Sequence, residues 1–145
     1  MRLLSCRIEN FKLLEDVAFE FSTDPDKPLT VVRAENGSGK TSLLYALLWS
    51  FYGMSGLPQK ARDLRLTSAA VASGTPVAIS VMVEFDHTDD VGEASRYRLI
   101  RSVSETPSEG DKVTRQGERV RLFRITSAGE EPVTNEEAVL TRMMP

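Results

Sequence analysis

The chain of 145 residues has one cysteine, one histidine and no long apolar run, and each scarcity excludes a class of protein. A single thiol, Cys6, cannot form an internal disulfide, and its place in an apolar alternation predicts a small buried side chain. No stretch approaches the roughly twenty apolar residues of a membrane span, and the N-terminus lacks the apolar core of a signal peptide. The net charge of −3 gives no overall attraction to nucleic acid. We therefore predict a cytoplasmic protein with no membrane partner.

What the chain does contain is typical of one globular domain, with 41% apolar and 27% charged residues. The single histidine, His87, stands beside Asp86, Asp89 and Asp90. These residues would suit a metal ion, but a polar hairpin turn explains the same cluster, and we favour the turn.

A glycine-rich run from Arg33 to Thr41 follows the apolar segment 29–32 and precedes a second apolar segment. This order predicts a phosphate-binding loop between a strand and a helix, with Ala34 where the usual pattern has glycine. The backbone N–H groups of such a loop converge on phosphates because Gly37 and Gly39 adopt conformations closed to other residues. The N-terminus of the following helix adds unpaired N–H groups and the positive end of its dipole.

The side chains of the loop predict that ATP binds there together with Mg²⁺. Lys40 supplies a mobile positive charge for the β- and γ-phosphates, which also makes it the predicted catalytic residue. The hydroxyl of Thr41 is placed to ligate the metal ion that bridges the same two phosphates. The predicted nucleotide-binding residues of the loop are Asn36, Gly37, Ser38, Gly39, Lys40, Thr41 and Ser42.

Outside this region, alternating apolar and polar residues predict strands and an antiparallel meander. The predicted strands lie at residues 4–8, 17–21, 77–85, 97–103 and 119–125. A corner is expected at residues 10–15, and turns are expected at 24–28 and 87–90. Near the end, Thr134 and Glu137 match a capping box that would begin a last helix through Met143 or Met144.

The helix from Thr41 to Tyr52 is apolar nearly all round, which predicts a central helix covered on several sides. We expect Trp49, Phe51 and Tyr52 to be core residues rather than a platform for stacking bases. The segment 53–74 has weak periodicity and many small or polar residues, so we predict a partly helical surface excursion that borders the nucleotide.

Positive charge is concentrated in residues 93–124, which hold eight basic and five acidic side chains. Arg119 and Arg121 would share one face of a strand, with Val120 and Leu122 on the other. A contact with the DNA backbone and a solvated sheet face are both compatible with this pattern, and we favour the solvated face because the net charge is acidic.

The corner, the loop and the meander together resemble the N-terminal lobe of SMC-like ABC ATPases. This group includes the SMC proteins, RecF, RecN and the ATPase subunit of the double-strand-break repair nuclease complex. The matching residues are Ile8 to Lys12, Glu35 to Leu44, Val83 to Phe85 and Tyr97 to Arg101. Two further stretches, Ala46 to Gly53 and Leu140 to Pro145, resemble DndD, the ATPase associated with DNA phosphorothioation systems.

The resemblance implies an α/β fold, namely a P-loop NTPase with an ABC-type head lobe whose mixed and antiparallel sheets surround a central helix. It also implies that Asn10, Phe11 and Lys12 help to hold the base, ribose or phosphates, although Lys12 could equally be a solvated corner residue. The implied ligands are ATP and Mg²⁺. The implied partners are DNA, a second head in a homodimer, and a nuclease or modification-complex subunit. The expected biology is DNA repair, or phosphorothioation-linked modification and anti-phage defence.

Several parts of a complete head are absent from the sequence. No run of four apolar residues ends in Asp-Glu as a Walker B site requires, and there is no Ser-Gly-Gly signature. Gln59 and Gln116 stand in loop-like contexts, unlike the glutamine with which the family senses Mg²⁺ and water. We therefore interpret residues 1–145 as the N-terminal half of a head whose second lobe follows Pro145, and we expect the fragment alone to be inactive.

Two alternatives from other classes stay open. A small P-loop kinase or GTPase-type enzyme would need a catalytic aspartate and alternating strands and helices, against which the meander argues. A non-catalytic P-loop interaction module is permitted by Ala34, and a titration with ATP would distinguish it from a working loop.

Overall fold

A computed structural model of the chain describes residues 1–58, 65–109 and 112–144. The strands are β1 (Arg2–Phe11), β2 (Leu14–Glu20), β3 (Val77–Thr88), β4 (Ala94–Pro107), β5 (Val113–Thr126) and β6 (Gly129–Pro132). The α-helices are α1 (Lys40–Tyr52) and α2 (Glu136–Met143), and a short 3₁₀ helix, Gly53–Gly56, follows α1. None of the described helices has both the length and the apolar character needed to cross a membrane.

The six strands form one antiparallel sheet in the order β2-β1-β3-β4-β5-β6. All five predicted strands are confirmed, and each is longer than its apolar alternation because pairing extends into polar residues. The predicted turn at 24–28 is confirmed by the hydrogen bond from Lys27 N to Asp24 O. The turn predicted at 87–90 lies slightly later, since β3 continues through Thr88 and the turn closes between Asp89 and Gly92.

One face of the sheet packs against α1 and forms the core. Phe11 and Trp49 are both fully buried, with ring centroids 5.8 Å apart, and Phe51 packs edge-on against Phe85 at 5.5 Å. Truncating any one of these aromatic side chains to alanine would cost about 3–5 kcal/mol. Cys6 lies in the same core, as predicted, and burial raises the pKa of its thiol to about 12. No described element covers the opposite face of the sheet.

Helix α1 is covered unevenly in the part of the chain that the structure describes. Trp49, Ser50 and Phe51 are buried in succession, so its last turn is covered on several sides and Trp49 and Phe51 are core residues as predicted. The prediction was wrong for Tyr52, which is 41% exposed, and the middle of the helix is open at Leu44, which is 54% exposed. Apolar side chains alone do not reveal which neighbours are present to cover them.

The strand predicted at residues 29–32 does not form. The segment is extended but unpaired, and the side chains of Leu29 and Val31 are 75% and 67% exposed. A strand requires a neighbour for its backbone hydrogen bonds, and no described strand pairs with this segment, although β2 lies across a cleft from it. The β-branched composition favours a strand, but among the described residues no backbone partner is present.

The segment after α1 is more deeply buried than predicted. Leu57, Leu66 and Thr67 are buried, so this part of residues 53–74 contributes to the core instead of forming a surface excursion. Gln59 lies outside the described residues. Gln116 is part of β5 and not of a loop, because the strand continues past the apolar stretch from which it was predicted.

The last helix is confirmed, but its predicted capping box is not. Asn135 occupies the N-cap position with a left-handed φ of 57°, and no side chain donates or accepts a capping hydrogen bond. The capping position is thus one residue later than Thr134. Glu137 instead approaches Arg101, at 3.8 Å.

Candidate functional site

The glycine-rich loop has the backbone conformation that its sequence predicts. Gly37 and Gly39 have φ values of 82° and 99°, a region that residues with a side chain rarely occupy. Gly39 is also the N-cap of α1, so the loop leads directly into the helix. The turn before it is closed by Ser38, whose N–H and hydroxyl both donate to the carbonyl oxygen of Glu35.

The side chain of Lys40 folds back onto the loop that precedes it. Its Nζ donates to the carbonyl oxygens of Ala34 and Glu35, each at 2.7 Å, while the side chain stays exposed. Thr41 is exposed in the first turn of α1, and Ser42 is buried beside it. The N–H groups of these three residues have no acceptor within the helix. An ammonium group and several free backbone donors therefore lie together at the exposed start of α1, which suits a polyphosphate.

The corner between β1 and β2 contacts the loop from the side. A methyl group built on Gly39 would lie 3.1 Å from Leu14 Cδ2 and 3.8 Å from Leu13 Cβ. Lys12, which precedes them in this corner, has a left-handed φ of 54°. The structure thus brings Lys12 close to the loop, as the family resemblance implies, and its role toward a nucleotide stays a prediction.

The surroundings of Lys12 explain its electrostatics. Its N–H donates to Leu66 O at 2.6 Å and its Nζ donates to Arg65 O at 3.1 Å. Burial lowers the pKa of Lys12 below its ordinary value, the nearby carboxylate of Glu105 raises it in part, and Arg115 lowers it again.

Two clefts lie beside the loop. One of about 470 Å³ is mainly apolar and includes Val17, Phe19 and Val31 in its walls together with Lys40. The other, of about 340 Å³, lies between Lys12 and the first turn of α1. A third and larger cleft, of about 640 Å³, opens at the other end of α1, beside Tyr52 and Gly53, and therefore belongs to a different region.

Two residues that were predicted to contact the nucleotide direct their side chains away from the loop. The side chain of Phe11 is fully buried against Trp49, which removes it from the expected nucleotide contacts. The amide of Asn10 donates to Ala78 O at 2.8 Å, and it lines a shallow cup on the open face of the sheet. Both residues support the corner, since Asn10 has a φ of 58° and the chain reverses just after them. Sequence similarity identified the corner but not the direction of each side chain.

Arg119 and Arg121 lie on the open face of the sheet, as their alternation predicted. Both side chains are exposed, whereas Leu122, on the opposite face of the strand, is buried. Ion pairs with acidic side chains hold the neighbouring Arg96 and Arg98. No acidic side chain of the described residues lies within ion-pair distance of Arg119 or Arg121, so both guanidinium groups stay available for an anion.

The donors suit a nucleotide-bound Mg²⁺ better than a protein-held metal ion. Among the described residues no three His, Cys, Asp or Glu side chains come together as a metal site. The hydroxyl of Thr41, next to Lys40, could ligate a cation only in the company of phosphate oxygens. His87 lies in β3 and not in the turn where it was expected.

Two buried charges were not predicted. Arg101 is nearly fully buried and donates to Ser50 O at the end of α1 and to Glu118. Glu105 is fully buried and accepts three hydrogen bonds. Both occupy inward positions of β4, in phase with Leu99 and Val103. A charged residue in phase with buried apolar residues was the sequence signal that could have identified them.

Comparisons with known proteins agree with this geometry. Residues 5–137 match a family described as the AAA domain. A curated relative, the DNA double-strand break repair Rad50 ATPase of Halobacterium salinarum, is 34% identical over 102 residues. The match covers 70% of this chain and 10% of the relative, so the chain spans about a tenth of that protein's length.

The fold also matches a solved structure from work on the structural biochemistry of ATP-driven dimerization and DNA stimulated activation of SMC ATPases. The superposition covers 99% of this chain and 77% of the other, with a TM-score of 0.57 and 17% identity. At that identity the likeness shows the fold, and it confirms the α/β class with an ABC-type head.

Proposed function

Because this chain belongs to the AAA domain family, among the SMC-like ATPases, we propose that residues 1–145 form the ATP-binding N-terminal half of an ATPase head. The observation that carries the proposal is the position of Lys40, whose Nζ lies 2.7 Å from two loop carbonyl oxygens at the start of α1. A lysine with no role in the loop would have no need to place its ammonium group against these carbonyl oxygens.

In this proposal ATP binds with its phosphates against the loop and the first turn of α1. Backbone N–H groups of the loop other than that of Ser38, which donates to Glu35 O, and the helix dipole neutralise part of the phosphate charge. The two carbonyl contacts of Lys40 leave one ammonium proton for a phosphate oxygen, and the whole group can turn toward the ligand. Thr41 completes the coordination of Mg²⁺ from the protein side.

We propose that hydrolysis requires a second lobe and a second head. Hydrolysis needs a group that orients water, a carboxylate near Mg²⁺ and a group that steadies the γ-phosphate. A Walker B run and a Ser-Gly-Gly signature are absent from the 145 residues. The exposed apolar segment 29–32, which has strand-forming residues without a partner, supports a missing neighbour on this side.

The biological role that we propose is an ATP-dependent action on DNA in double-strand-break repair. The similarity to the archaeal repair ATPase supports this role, and Arg119 and Arg121, which form no ion pair with the described residues, provide a surface for DNA phosphates. Phosphorothioation-linked modification or defence, as in DndD, is the second candidate, supported by the stretch Ala46 to Gly53. A modification or nuclease subunit would be the corresponding partner.

Binding without catalysis is the alternative of another class. Ala34 departs from the usual loop pattern, but its carbonyl oxygen accepts a hydrogen bond from Lys40, and φ at Ala34 is not among the positive values that would demand glycine. The antiparallel sheet argues against a small P-loop kinase or GTPase, in which strands and helices alternate.

Calorimetric titration of the chain with ATP and Mg²⁺ tests the proposal. We expect Lys40→Ala to weaken binding by about thirtyfold or more, equivalent to roughly 2 kcal/mol for a lost charge-assisted contact. Lys27→Ala is the matched control, because Lys27 is an exposed lysine outside the loop, and it should leave the affinity unchanged. Equal affinities of the wild type and the Lys40 variant would refute an ATP-binding role for the loop.

A further inference from the structure

Glu105 is a carboxylate with no exposure to solvent, at an inward position of β4. Its Oε1 accepts from Thr67 N at 2.9 Å and from Thr67 Oγ1 at 3.0 Å, and its Oε2 accepts from Arg115 Nε at 2.8 Å. A buried charge is costly unless it is fully hydrogen-bonded, and an apolar residue would fill this position without that cost. Packing alone therefore does not explain why a carboxylate occupies this buried position.

Through Thr67, the carboxylate fixes a short segment of chain, Arg65 to Thr67, against the sheet. The same segment accepts two hydrogen bonds from the β1–β2 corner, from Lys12 N to Leu66 O at 2.6 Å and from Lys12 Nζ to Arg65 O at 3.1 Å. A continuous series of contacts thus leads from β4 through this segment to the ammonium group of Lys12.

Lys12 stands where this series meets the candidate nucleotide site. It lines the cleft of about 340 Å³ together with Ser42 of the first turn of α1 and with Thr67. Leu13, the next residue in the corner, approaches Gly39 of the loop. One proton of the ammonium group is engaged with Arg65 O, and two protons remain for oxygen atoms of a ligand.

Resting on the nucleotide site proposed above, we infer that Glu105 is a positioning residue for nucleotide binding, which acts by holding Arg65 to Thr67 so that Lys12 stays beside the first turn of α1. A lysine fixed in advance loses less conformational freedom when a phosphate or ribose oxygen arrives, so affinity rises without a new contact. Arg115 and Arg65 are the other charged groups around Lys12. Both repel its ammonium group, so hydrogen bonds are needed to hold the Lys12 side chain in one orientation.

A double-mutant cycle on the whole chain distinguishes positioning from plain stabilisation. The variants are Glu105→Met, which removes both acceptor oxygens at nearly the same side-chain length, Lys12→Met and the pair, with MgATP affinity measured by calorimetry and folding checked by circular dichroism. We expect Glu105→Met to weaken binding by about fivefold in the wild-type background, a coupling typical of residues in one network. In the Lys12→Met background the same change should weaken binding by less than about twofold.

Arg115→Met is the matched control. It breaks the ion pair with Glu105 but leaves both hydrogen bonds from Thr67 to Oε1. It should lower the melting temperature while the affinity for MgATP stays within about twofold of wild type. If Glu105→Met does not fold, Thr67→Val replaces it, since this change removes the hydrogen bond from Thr67 Oγ1 to Glu105 and preserves the shape of the side chain.

The outcomes are distinct for the two proposals. An equal loss of affinity in both Lys12 backgrounds, or no loss in either, overturns the positioning role and leaves the loop as a nucleotide site. A loss of affinity in Arg115→Met as large as in Glu105→Met also overturns it, because the effect would then follow stability. Absence of binding by the wild type, or binding insensitive to Lys40→Ala, overturns both proposals.

Discussion

Replacing Gly39 by alanine should damage the protein more than replacing Gly37, although the two glycines belong to the same loop. Both have positive φ, at 99° and 82°, where a side chain costs about 1–2 kcal/mol. The surroundings differ, since a methyl group on Gly37 would meet nothing within 4 Å and one on Gly39 would lie 3.1 Å from Leu14 Cδ2.

The contact with Leu14 determines the size of the difference. Leu14 is buried at the edge of the core and cannot move outward freely. Crowding at such a position costs about 1–3 kcal/mol, in addition to the backbone term that both variants share. We therefore expect Gly39→Ala to lower the free energy of unfolding by about 1–2 kcal/mol more than Gly37→Ala does.

Urea unfolding followed by tryptophan fluorescence measures this difference directly, because the single Trp49 is fully buried. For a chain of this size, 1 kcal/mol corresponds to a shift of about 3–5 °C in the melting temperature. Both variants should also weaken MgATP binding, since each disturbs the backbone that faces the phosphates. Equal unfolding free energies for the two variants would show that the corner and the loop are not in contact, and would refute the assignment of this corner to the site.

Three further predictions follow from the structure. The isolated chain should bind MgATP without turning it over, so steady-state phosphate release should not exceed that of the Lys40→Ala variant; activity above that control would mean a complete enzyme of another P-loop class. Duplex DNA binding by a head that contains this chain should be independent of sequence, fall steeply with salt, and weaken when Arg119 and Arg121 are both replaced by Glu. Unchanged binding of the double variant would show that the two arginines belong to a solvated face and do not contact DNA. Cys6, whose thiol has a pKa of about 12, should resist iodoacetamide at pH 8 in the native state and react in urea; rapid native labelling would contradict its burial.

Much of the fold was predictable because its elements carry strong local patterns. The alternation from Val77 to Phe85 predicts a strand irrespective of its neighbours, and the register of the meander follows from short connections. The loop was predictable in detail, since the positive φ values of Gly37 and Gly39 follow from residue type and spacing. For the candidate site, these local signals predicted a lysine at the end of the loop, and Lys40 is the first residue of α1.

The remainder depended on tertiary neighbours that a local pattern does not contain. Residues 29–32 have the composition of a strand, but pairing is a property of two segments, and the second is lacking among the described residues. Phe11 and Asn10 belong to one corner, yet one side chain enters the core and the other binds β3. The role of Glu105 arises from Thr67, which is 38 positions away along the chain.

The order of strands in the sheet has a consequence for how the chain folds. β3, β4 and β5 are consecutive in sequence and in space, so their pairing closes only short loops. β1 pairs with β3 across the whole of α1, as in the contact between Arg2 and Asp86, and closing so long a loop is entropically costly and slow. The glycine-rich loop lies inside this intervening stretch, so the meander should form first and the candidate site last. A bound nucleotide would then stabilise the part of the molecule that is assembled latest and opens most readily.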